Sequence, residues 1–235
     1  LTLSAGFFGF YAHAGLIAAL EKHELIPSRI VGVSAGALAG GLWASGIEAH
    51  QLKDTLLELK RSDFWDPGLG FGGILKGKKF SHKLNTLLSQ VGVSEFSHCP
   101  ISFTAVVYDL LGRKTLGLSE GSVASAIRAS CALPFLFRPV RIGWRFYLDG
   151  GVQDRPGFTV LSASERTLYH HLPHSSPWAG IHGDERVSLK SSRTRNVLQF
   201  QDLPRVGPFK LEHGHRALAM VEQRTLQWLE MPYQS

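Results

Sequence analysis

Only two cysteines, Cys99 and Cys131, occur in 235 residues. Two thiols make no disulfide framework, so a packed core must hold the fold together. No apolar run approaches the ~18–20 residues of a membrane span, and no secretory leader is legible. Acidic residues are the minority charge, 19 against 25 Lys and Arg, which leaves a formal charge of +6 and a pI near 9.5. That balance suits anionic partners such as phospholipid headgroups. The cations are dispersed and form no stripe, which argues against nucleic acid. His170, His171 and His174 cluster loosely, but no carboxylate or cysteine set completes a metal geometry; they read as a polar loop, and neither metal nor cofactor is expected. With no internal repeat and no Pro- or Ser-rich linker, residues 1–235 read as one domain. An apolar fraction of 44% is enough for a substantial core and argues against disorder. The chain starts at Leu1 inside a strand-like run and is expected to continue upstream. A cytoplasmic or peripheral-membrane setting is favoured, with secretion left open.

What is present reads as alternating strands and helices. Residues 1–3 form a short strand, residues 4–9 a turn, and residues 10–24 a helix with Ala12, Leu16, Ala19 and Leu20 on one face. A second buried strand covers residues 30–33, and a small, apolar helix follows from Ala35 to Gly46. Leu52, Leu56 and Leu59 mark another helix. A Gly-rich loop spans residues 66–77, and Phe80, Leu84, Leu87 and Leu88 mark a further helix. Residues 101–108 and 113–118 read as a hairpin through the turn at 109–112. Ser122 caps a helix running to about Ala132. Residues 144–148 form a strand that ends at Asp149-Gly150-Gly151. A strand near 167–171 and a C-terminal helix over 215–230 complete the expectation. The first strand–helix–strand unit is a βαβ with a right-handed crossover, so the fold class is α/β.

The chemistry centres on Gly32-Val33-Ser34-Ala35-Gly36, a G-x-S-x-G pattern where a strand meets a helix. A sharp turn there exposes the serine oxygen as a candidate nucleophile. Gly32 and Gly36 remove side chains where strand and helix converge. The Ala35 N–H opens the helix and can donate to an oxyanion. The turn Ser4-Ala5-Gly6-Phe7-Phe8-Gly9 also joins a strand to a helix, and parallel strand pairing would set its amides beside Ser34. A dinucleotide fingerprint is the competing reading of that turn. It fails because Ser4 takes the first glycine position, Phe7 and Phe8 crowd the loop, and no acidic residue ends the second strand.

A serine hydroxyl needs a base within hydrogen-bond reach. Asp149 is one candidate, since a carboxylate at a strand end followed by Gly150 and Gly151 can approach such a turn. Histidines 170, 171, 174, 182, 213 and 215 are the other, in a Ser–Asp–His order. The α/β-hydrolase scaffold that hosts that order needs several strands before its nucleophile, whereas one βα unit precedes Ser34.

In these features the chain resembles the bacterial patatin-like phospholipases. The Gly32–Gly36 pentapeptide matches the family's elbow and Asp149-Gly150-Gly151 its aspartate motif. Residues 126–134 and 137–140 resemble the helix and Pro turn between them, so the match runs in order over about residues 1–157. The resemblance implies a three-layer α/β/α fold with a mostly parallel central sheet. It also implies a Ser34–Asp149 dyad without histidine, and hydrolysis of lipid esters without a cofactor. Ala5, Gly6 and Ala35 then take the oxyanion-donor positions, with Gly9 retained at the end of the loop. One departure stands out: Ser4 and Ala5 replace glycines of the family's loop, and Phe8 a common basic residue. A short-chain esterase, an acyltransferase and a lipid-binding domain with weak catalysis are the alternatives.

Three further segments invite functional readings. Residues 72–79 nearly match a phosphate-binding P-loop but lack its Ser or Thr, and read as a basic surface loop. Phe64, Trp65 and Phe71 beside those lysines suit transient contact with a lipid surface. Leu133, Phe135, Leu136 and Phe137 suit an acyl pocket. Cys131 reads as a helix-packing residue.

Overall fold

In the computed structural model, residues 1–68, 72–173 and 191–231 are described. They form β1 (Thr2–Leu3), α1 (Phe10–Lys22), β2 (Arg29–Val33), α2 (Ala35–Ala44), α3 (Ala49–Leu57), β3 (Gly73–Leu75), α4 (Lys78–Gln90), β4 (Ser102–Asp109), β5 (Lys114–Leu118) and α5 (Val123–Ser130). Then come β6 (Phe135–Phe137), β7 (Val140–Ile142), β8 (Arg145–Asp149), β9 (Thr167–His171), β10 (Arg195–Gln199) and α6 (His213–Glu230). The main sheet runs β10-β9-β1-β2-β4-β8-β7, with β5 also paired to β4. From β10 to β4 every pairing is parallel, and β5, β8 and β7 join antiparallel. The expected mixed α/β fold with a mostly parallel central sheet is what the chain adopts.

Strand order explains where the layers lie. From β1 to β2 to β4 the chain advances across the sheet in one direction. Right-handed crossovers therefore put α1 to α4 on a single face. Their apolar residues join Leu3, Ile30, Phe103 and Ala105 of the strands in one large core. On the opposite face Val31, Val33 and Val106 pack under Val160 and Leu161, around the 3₁₀ turn Phe158–Val160. That second covering layer is thin among the described residues, because β8 returns antiparallel and needs no crossover helix.

Helix α1 departs from the expected one-sided pattern. Every residue from Phe10 to Leu20 is buried, because α2, α3 and α6 all pack against it. Helix α2 is buried throughout as well. Helix α3 stops at Leu57, which frees Leu59 to line a cavity instead of extending the helix. Strands β3, β6, β7 and β10 are additions that short-range pattern did not reveal. The first three are only three residues long; β3 and β6 pair with each other across about sixty positions, and β7 forms a short hairpin with β8. Ser122 does cap α5, its hydroxyl accepting the Ser125 N–H at 3.3 Å.

Candidate active site

Strand β2 delivers Ser34 into a turn that few L-residues adopt, with φ 53° and ψ −114°. Such a backbone costs about 1–3 kcal/mol and persists only where neighbours over-determine it. Here they do. The Ser34 N–H donates to Ser130 Oγ at 2.9 Å, and the Ser34 carbonyl accepts the Leu38 N–H at 3.0 Å and the Cys131 thiol at 3.2 Å. Gly36 is required by close approach: a Cβ there would run into the Leu3 carbonyl of the neighbouring strand. Gly32 lies against the backbone of Ala37 in the same way. Cys131, expected to serve helix packing, does pack against the main core, and it also touches the turn and lines the cavity.

The pairing register brings Asp149 to this turn. Ala105 of β4 pairs with both Gly32 and Leu118, and Val107 with both Asp149 and Leu116. A strand has two edges, so β5 occupies one and β2 and β8 share the other. Strand β2 ends at Val33, opposite Val106, and β8 ends at Asp149, opposite Val107. The two strands therefore run head-on along one edge and finish at adjacent β4 residues. Ser34 follows one end, and Asp149 is the other. Gly150 makes the meeting possible, since a Cβ there would lie 2.5 Å from the Val106 carbonyl oxygen.

Asp149 is only 2% exposed. Its Oδ1 accepts the Gly151 N–H at 2.8 Å, and its own N–H donates to the Ala132 carbonyl at 3.0 Å. Burial pushes its carboxyl from 3.8 up to about 6, held back by hydrogen bonds from the Ser34 side chain and the Gly151 amide. Desolvation thus outweighs both donors.

Parallel pairing of β1 with β2, Leu3 opposite Gly32, sets the 4–9 turn beside Ser34. The turn is closed by the Gly9 N–H donating to the Gly6 carbonyl at 2.9 Å, with Phe8 at φ 55°. One expected donor is corrected. The Ala5 N–H donates to the Arg155 carbonyl at 2.8 Å, so its hydrogen is already engaged. Among the described residues no acceptor takes the Gly6 or Ala35 N–H, and both residues line the same cavity as Ser34.

That cavity has a volume of about 310 Å³. Ser34, Asp149, Gly6 and Ala35 share its wall with apolar side chains that include Phe8, Leu38, Leu75, Leu133, Leu136 and Phe137. Phe64 and Trp65 line it too. Phe135 does not, and stands 70% exposed beside it. Phe71 lies outside the described residues.

No described histidine lines the cavity. His170 and His171 sit on β9 rather than in a polar loop, and His170 is fully buried with its Nδ1 2.9 Å from His13 Nδ1. His213 and His215 lie in α6, and His174 and His182 fall outside the described residues. The segment resembling a P-loop holds its own anion. Asp66 accepts the Gly77, Lys78 and Lys79 N–H groups at the start of α4, at 2.8, 2.6 and 3.2 Å.

The family profile described as "Patatin-like phospholipase" matches residues 1–161. The chain belongs to the patatin-like phospholipase family. The matched region of this patatin-like chain holds Ser34, Asp149 and the 4–9 turn. An uncharacterized NTE family protein of Mycobacterium tuberculosis is 34% identical over 161 residues, covering 66% of the chain and 42% of that protein. A second from the same species is 26% identical over 165 residues, covering 69% and 28%. The chain thus spans less than half the length of these curated relatives. Among solved structures, VipD from Legionella pneumophila superposes with a TM-score of 0.59 at 14% identity, over 97% of this chain and 66% of VipD. At that identity the likeness speaks for the fold alone.

Proposed function

We propose that this patatin-like chain is a serine acyl hydrolase that releases fatty acids from lipid esters, with Ser34 as nucleophile and Asp149 as its base. The observation that carries the proposal is the juxtaposition of the Ser34 side chain and a buried carboxylate on the wall of an apolar cavity. A carboxylate raised to about 6 is a stronger base than usual and is still ionised at neutral pH. Asp149 accepts the hydroxyl proton as Ser34 Oγ bonds to the ester carbonyl carbon. Charge developing on the carbonyl oxygen is met by the Gly6 and Ala35 amides, the latter at the N-terminus of α2. Asp149 then passes the proton to the departing alkoxide, leaving an acyl group on Ser34. Water attacks that ester as Asp149 takes its proton. Ser34 regains a proton from Asp149 when the fatty acid leaves.

The rim of the cavity suits substrate drawn from a lipid surface. Phe7 and Phe209 line the cavity while remaining 46% and 71% exposed, and Ile74 and Phe135 stand exposed nearby. Arg61 lies over the Trp65 and Phe209 rings, 5.7 and 5.1 Å from their centroids, which joins a cation to the apolar rim. Aromatic residues that enter the interface and cations that meet phosphates make such a face membrane-seeking.

Fatty-acid release from mixed phospholipid vesicles and emulsified acylglycerols tests the proposal directly. Wild type should release acid, and Ser34→Ala should fall to the uncatalysed background. Equal release by the two proteins would remove the enzymatic reading.

A further inference from the structure

Three consecutive residues at the end of α5 each hydrogen-bond a backbone that carries Ser34 or Asp149. Ser130 is fully buried, and its hydroxyl accepts the Ser34 N–H at 2.9 Å while donating to the Val106 carbonyl at 2.7 Å. Cys131 donates its thiol hydrogen to the Ser34 carbonyl at 3.2 Å. The Ala132 carbonyl accepts the Asp149 N–H at 3.0 Å. Strands β2 and β8 are not paired with each other, so the β4 edge and this turn are what tie their backbones together at the site.

We propose that Ser130-Cys131-Ala132 is a positioning bracket that sets the spacing of Ser34 and Asp149, with Ser130 as its principal member. The proposal rests on the acyl-hydrolase reading above. Its physical logic lies in the strained turn. At φ 53° the Ser34 N–H leaves the strand ladder and would be an unpaired donor beside the cavity. A hydroxyl is donor and acceptor at once, so Ser130 can satisfy that N–H and tie it to Val106 in one step. Val106 is the β4 residue at which β2 ends, so the tie anchors Ser34 to the strand that also seats Asp149. Alanine at 130 could make neither bond. Burial pushes the Cys131 thiol well above its ordinary pKa, so it keeps its hydrogen and remains a donor to Ser34. Each bracket residue acts through the backbone, and none is assigned contact with the reacting atoms.

The test compares wild type with Ser130→Ala and Ser130→Thr, with active sites counted by covalent titration with a fluorophosphonate. A positioning role predicts that Ser130→Ala lowers kcat per titrated site about tenfold or more, the rate equivalent of one buried hydrogen bond. KM should stay within about twofold, because no residue that lines the cavity is altered, and Ser130→Thr should recover most of the loss. Hydrogen exchange at the Ser34 amide, followed by NMR, should quicken in Ser130→Ala and not in Ser130→Thr. Wild-type kcat per site in Ser130→Ala, or unchanged Ser34 exchange, would overturn the bracket. Ser130→Cys, nearly the same shape with weaker hydrogen bonding, provides a foldable variant with intermediate kcat should Ser130→Ala not fold. If wild type and Ser34→Ala release acid equally, the hydrolase reading fails, and the exchange measurement still judges the bracket.

Discussion

Replacing Asp149 by asparagine should make the protein more stable while abolishing its turnover. The carboxylate is 2% exposed, and burial moves its carboxyl from 3.8 to about 6. Between those values the folded state binds more protons than the unfolded chain, so stability falls as pH rises through the window. Above pH 6 the buried charge costs the fold about 3 kcal/mol. Asparagine keeps the shape, and its oxygen can still accept the Gly151 N–H, though losing the charge weakens that bond by about 1 kcal/mol. The net expectation at pH 8 is a gain of about 2 kcal/mol, or roughly 4–8 °C in Tm for a chain of this size. At pH 4, where the wild-type carboxyl is largely protonated in the fold, the gain should shrink toward zero. Urea unfolding of both proteins from pH 4 to 8 measures this, read as the midpoint at equal slope. In wild type, kcat/KM should rise with pH through about 6 as the base ionises. An Asp149→Asn protein less stable than wild type at pH 8, or a difference that ignores pH, would refute the idea that a strained, desolvated charge sits at this position.

Three other outcomes follow from the packing. Burial holds His13 down to about 4 and His170 well below its ordinary value, so the folded state binds fewer protons than the unfolded one below pH 6.5. Stability from this pair is therefore complete above 6.5 and is lost as pH falls toward 4. His170→Leu, compared in the Asp149→Asn background to silence the opposing titration, should flatten that slope by about one proton; an unchanged slope would contradict it. Gly36→Ala should destabilise by about 1–3 kcal/mol through collision with the Leu3 carbonyl. Helix propensity alone would make it stabilising, so the sign of the change in urea decides. Ile74→Ser with Phe135→Ser should weaken sedimentation with anionic vesicles several-fold and spare hydrolysis of a soluble short-chain ester. Equal vesicle binding would place the lipid-facing surface elsewhere.

Much of the fold and part of the candidate site were legible because they are written in neighbouring residues. The strand–turn–helix around Ser34, the strand ending at Asp149 and the Ser122 cap all follow from local apolar pattern and turn chemistry. The sequence of helix α1 suggests one buried face, because pattern reports apolarity and not the number of neighbours that enclose it. Strands β3 and β6 escaped notice since three residues carry no period, and their partners are about sixty positions apart. The donor role expected of Ala5 failed on a single long-range bond, from its N–H to the Arg155 carbonyl. The packing role of Cys131 is legible locally, but nothing nearby in the chain announces that Ser34 lies beside its thiol.

By itself, then, the sequence determined that Ser34 occupies a sharp turn and that Asp149 ends a strand, since both depend on residues a few positions away. Only the tertiary structure decided that these two places coincide. That outcome requires β2 and β8 to share one edge of β4 and stop at Val106 and Val107. It also requires enough burial to raise a carboxyl to about 6, and a buried hydroxyl at Ser130 to hold the turn. Strand register, desolvation and long-range hydrogen bonds depend on which distant residues meet, and no local pattern encodes that.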